Sequence, residues 1–162
     1  MRMRTGAFAL LLAVAAALLS AVSAGAAGAG AVSFTQHFNN EVLFTDTSGN
    51  PCTGAAGTFT ATATNGVFHI TVLANGTFWA TFTAEGTGTF VPDNPADPSG
   101  SGHFAMWDGD NGNLHNGAGT ATFNVVVSFT DGSRVTMHEV AHMSTSASGG
   151  SIAFDKPRLT CG

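Results

Sequence analysis

Strict alternation of threonine with apolar residues constrains this chain more than any other feature. Residues Thr58 to Thr64 read Thr-Phe-Thr-Ala-Thr-Ala-Thr. A period of two puts the apolar side chains on one face of an extended strand, whereas a helix would scatter them around its circumference. The pattern returns in Val67 to Ala74, with Phe68, Ile70 and Val72 on one face. It returns again in Thr77 to Glu85, where Phe78, Ala80, Phe82 and Ala84 oppose Thr77, Trp79, Thr81 and Thr83. Gly119 to Thr130 alternates likewise, with Phe123, Val125, Val127 and Phe129 facing inward. Asn65-Gly66 and Asn75-Gly76 separate the first three runs, and each predicts a two-residue type I′ hairpin turn.

The rest of the chain fits the same scheme. Glu41 to Asp46 is a strand before the turn Ser48-Gly49-Asn50-Pro51, and Gly86 to Val91 continues its predecessor through a glycine-marked bulge or bend. Residues 92–102 hold three prolines and form an exposed loop. His103 to Trp107 is a strand, and Asp108 to Gly117 is a polar loop rich in Gly and Asn. Asp131-Gly132 turns the chain, and Arg134 to Met143 and Ser151 to Lys156 are the last strands. The expected fold is all-β: eight or nine antiparallel strands in an up-and-down barrel or a sandwich, with one disulfide. A barrel is preferred because closure removes exposed edges, a hazard for a weakly charged chain of strand-formers.

The first 24 residues read as a secretory signal peptide. Arg2 and Arg4 precede the apolar run Gly6 to Leu19, and Val22-Ser23-Ala24 fits the small-x-small cleavage pattern, as does Ala27-Gly28-Ala29. Residues 25–37 are expected to be a flexible segment and 38–162 a single β domain. Without the leader the chain carries three cations (Arg134, Lys156, Arg158) against ten carboxylates. So few cations cannot neutralise a phosphate backbone, which excludes nucleic acid as a partner. After cleavage no later stretch is apolar enough for stable membrane insertion. Twelve Phe in the same residues argue against disorder. Secretion favours pairing Cys52 with Cys161, the only two cysteines.

His138-Glu139-Val140-Ala141-His142 matches H-E-x-x-H and so resembles the zincin metalloproteases. That resemblance implies a small secreted zinc peptidase, with His138 and His142 as metal ligands and Glu139 as general base. The chemistry needs a helix, where residues four apart share a face. On a strand they stand about 13 Å apart. Val135, Met137, Ala141 and Met143 alternate with Arg134, Thr136, His138 and His142, so the segment reads as a strand. It also lacks a third ligand at the extended-motif positions, which hold Thr145 and Ser148. Glu139 then falls on the more apolar face, with Lys156 or Arg158 as available partners.

Asp108, Asp110, Asn111, Asn113 and His115 crowd one predicted loop, and Asp108, Asp110 and Asn113 form a weak candidate calcium set, although the spacing is not that of an EF-hand. Trp79 lies on the threonine face of its strand, and Trp107 shares a face with His103. These three are the candidate ligand-binding residues, because an exposed Trp can stack on a sugar. The stretch from Asp131-Gly132-Ser133 through His138 and His142 to Lys156-Pro157-Arg158-Leu159-Thr160-Cys161, together with Asn50-Pro51-Cys52-Thr53-Gly54, resembles small secreted bacterial β proteins, chiefly actinobacterial. That likeness implies an extracellular β domain with these two cysteines paired, and it carries no activity. Three functions follow as expectations. The first is a non-enzymatic domain binding a small apolar ligand or a glycan, without a cofactor. The second is the zinc peptidase, and the third is a structural envelope-associated protein.

Overall fold

The computed structural model describes residues 30–113, 115–146 and 151–162, with backbone only for 151–154. The expected signal peptide and its cleavage site lie outside the described residues. Eight strands follow in order: β1 (Val32–Phe38), β2 (Glu41–Asp46), β3 (Gly57–Val72), β4 (Phe78–Pro92), β5 (Gly100–Gly112), β6 (Gly117–Phe129), β7 (Arg134–Thr145) and β8 (Ser151–Cys161). They form one antiparallel sheet in the order β1-β3-β4-β5-β6-β7-β8, with β2 also paired to β3. The fold is all-β, and Cys52 is bonded to Cys161.

Alternation sets the two faces as expected. Ala61, Ala63, Phe68, Ile70, Ala80, Phe82, Ala84, Phe104, Phe123, Val125, Val127 and Val135 are all buried on one face. Their polar neighbours in sequence point outward. The sheet coils so far that its inner face packs on itself. The Phe44 ring of β2 sits 5.8 Å from Phe123 of β6, although three strands lie between them in the sheet. Phe90 of β4 and Phe129 of β6 meet edge to face at 5.7 Å over Gly100, the β5 residue opposite both. Right-handed strand twist produces this coiling.

No ladder joins β8 to β1 or β2, so the preferred barrel is corrected to a single curled, open sheet. The seam is bridged by other means. The β2–β3 loop folds over the inner face and is pinned by Asn50, which is buried and accepts the backbone amides of Cys52 and Thr53. The disulfide then ties that loop to the end of β8. The β8 edge is blunted by Lys156, Pro157 and Arg158, because charge and proline both discourage pairing with another strand.

Three local expectations are corrected. Asn65-Gly66 is not a turn: β3 runs through it, with a bulge between Ala63 and Asn65 opposite Gly86 and Glu85. Gly66 keeps a negative φ and instead allows close packing, since a Cβ there would press on Phe38 and Ala84 at 3.3 Å. Residues 32–37 are not a flexible segment. They pair with the second half of β3, Phe34 opposite Ile70 and Gln36 opposite Phe68. The polar loop expected from Asp108 is shortened, because β5 continues to Gly112. The second hairpin forms, but as a three-residue loop and not the expected two-residue type I′ turn. Leu73 and Thr77 are hydrogen-bonded across it, and there only Gly76 is left-handed.

Candidate functional site

The H-E-x-x-H residues lie on β7, not on a helix. His138 and His142 face outward. His138 Nδ1 donates to Asn124 Oδ1, and His142 Nδ1 is 2.8 Å from Thr120 Oγ1. Glu139, one step along, is opposite Phe123 on the inner face. The backbone therefore sends the two imidazoles to one side of the sheet and the carboxylate to the other. Burial raises the pKa of Glu139, and the like charge of Asp155 raises it further. Lys156 and Arg158 are opposite Val140 and His138, on the other face, which removes them as inward partners for Glu139.

The candidate calcium residues are not brought together on a loop. Asp108 and Asp110 sit on β5 and face inward, opposite Ala121 and Gly119. Asp108 is 3 % exposed, and its Oδ1 has no hydrogen-bond partner. Its pKa is pushed up to about 7, first by burial and then by the charge of Asp110, while the Gly109 amide pulls it down. Asn113 caps the β5–β6 turn, its Oδ1 accepting the amides of His115 and Asn116. No group of three or more His, Cys, Asp or Glu arranged to hold a metal occurs among the described residues.

The outward face is different in character. Trp79 and Trp107 are 49 % and 41 % exposed, large apolar rings left in solvent. Trp79 is opposite Thr71 on one side and Asn111 on the other. Beside it a depression of about 240 Å³ is lined by Thr77, Trp79, Asn111, Gly112, Asn113, Asn116, Gly117 and Ala118. The neighbouring rows carry hydroxyls and imidazole: Thr35 Oγ1 is 2.8 Å from His69 Nδ1, and Ser33 Oγ is 2.8 Å from Thr71 Oγ1. From the row of Trp79 to the row of Trp107, the outward positions of β3 to β6 include no Asp, Glu, Lys or Arg. His103 lies further down β5, 4.0 Å from Glu85, and stands apart from Trp79.

The sequence pointed to both Trp residues and singled out Asn111 only as part of the candidate calcium loop, and it missed Asn116 and Thr77. The missing signal was the length of β5. Once the strand is carried to Gly112, parity puts Trp107, Gly109 and Asn111 on one face. On the inner face, a cavity of about 60 Å³ lies between the β2–β3 loop and Phe59, Phe90, Phe123, Val125 and Met137. No protein family, curated protein or solved structure matches this chain.

Proposed function

We propose that this protein is a secreted, non-enzymatic carbohydrate-binding domain whose site is centred on Trp79. The observation that carries this reading is the half-exposed Trp79 ring standing beside an amide-lined depression. A pyranose presents an apolar C–H face and a rim of hydroxyls. An indole supplies the matching apolar plane, and Asn and Thr side chains supply the donors and acceptors. The disulfide is consistent with export. The inner cavity, at about 60 Å³, favours the glycan over an apolar ligand, since it has room for only a few water-sized groups.

The test is titration of the purified protein with neutral oligosaccharides, followed by intrinsic Trp fluorescence and calorimetry. Binding should change the indole emission, and Trp79→Ala should abolish it while the variant keeps its melting temperature. If no neutral sugar produces heat or a fluorescence change, the reading is wrong.

A further inference from the structure

Trp107 does not stand away from the sheet. Its ring reaches along its own strand and covers Gly109: a Cβ built at Gly109 would lie 2.7 Å from both Cζ2 and Cη2 of the indole. The ring can occupy that place only because residue 109 has no side chain. Gly109 is opposite Thr81, in the row between Trp107 and Trp79, so the indole leans toward Trp79. Four strand steps and one strand spacing separate the two Trp Cα atoms, about 14 Å. The ring of Trp107 spans part of that gap. The floor between them is Thr81, Gly109 and Thr120, none of them bulky. No Asp, Glu, Lys or Arg projects from these rows on β3 to β6.

We propose that Trp79 and Trp107 are two subsites of one aromatic strip running along the β4–β5 strand pair, seated by Gly109, and that the strip takes an extended neutral oligosaccharide rather than a single sugar. This rests on the carbohydrate reading above and goes beyond it in naming ligand length, ligand charge and a positioning residue. Two rings spaced along a pair of strands reward a chain that reaches both. A monosaccharide covers only one of them. The absence of charged side chains on the strip leaves nothing to pair with an acidic or amino sugar.

The probes are glucose and its α- and β-linked disaccharides and hexasaccharides, measured by calorimetry on the full chain. In the wild type the hexasaccharide of the preferred linkage should bind about tenfold more tightly than the monosaccharide, the gain from one more stacked ring. Gly109→Ala leaves both Trp residues in place but displaces the Trp107 ring, because the new methyl occupies its position. It should bring the hexasaccharide's affinity down toward that of the monosaccharide, and Trp107→Ala should do the same. A wild type whose affinity is flat with chain length overturns the strip, as does a Gly109→Ala variant that folds and keeps the full gain. In either case loss of binding in Trp79→Ala would leave the carbohydrate reading standing. Failure of every sugar to bind the wild type removes both.

Discussion

Replacing both Cys52 and Cys161 with Ala removes the only covalent bridge across the open seam. The bonded residues are separated by 109 positions, so the bridge closes most of the described chain into one loop. Chain-entropy arithmetic for a loop of that length gives about 4.7 kcal/mol, most of it acting on the unfolded state. Unfolding entropy near about 2.1 cal/mol/K per residue, over roughly 130 residues, amounts to about 0.27 kcal/mol/K. The double variant should therefore melt about 17 °C lower than the oxidised wild type. The assay is calorimetric melting of both proteins at one pH, with urea unfolding as a second measure. The loss should appear as a lower urea midpoint with a steeper slope, because the unfolded chain without the bridge exposes more surface. Amide exchange along the β8 ladder should accelerate most, because there the disulfide stands in for a missing strand partner. A loss below about 1.5 kcal/mol would refute the reasoning, since it would mean that the bridge scarcely restricts the unfolded chain.

Two further outcomes follow from the inner face. The Asp108 carboxyl titrates near 7 in the fold against an ordinary value of 3.8, so between those values the folded chain holds a proton that the unfolded chain has lost. The contribution of Asp108 to stability is fullest below about pH 4, declines as the pH climbs toward 7 and levels off above it. Melting curves of Asp108→Asn should show a shallower decline over the same range, and an unchanged pH slope would count against the assignment. Phe104, fully buried and stacked on Phe123 at 6.0 Å, should cost about 3–5 kcal/mol when cut to Ala, read from urea unfolding.

Asp108 also shows why much of the site was hard to read in advance. In the sequence it opens a run of Asp, Gly and Asn that has every mark of a loop. Strand β5 runs through that run because β4 and β6 flank it on both sides and supply hydrogen-bond partners, overriding weak local preference. Once extended, the alternation turns the carboxylates inward and Asn111 outward, which dissolves a candidate cation loop and assembles a polar depression beside Trp79. By contrast, Trp79 on the outward face could be read directly, because its strand alternates without interruption.

What the sequence determined by itself is the period. An unbroken alternation assigns each side chain to a face wherever a strand is going to form, and two cysteines can close only one bridge. These are local properties of the chain and need no knowledge of neighbours. Tertiary structure alone decided the fate of Asn65-Gly66 and the state of the seam. An Asn-Gly pair becomes a hairpin only if the chain after it pairs back on the strand before it. Here β1 and β4 flank the second half of β3, and β2 and β4 flank the first, so continuing straight keeps more backbone groups paired than turning would. The open edge has the same origin. How far a twisted sheet coils depends on what packs inside it, and in this chain a loop and a disulfide cross the gap that another ladder would have filled.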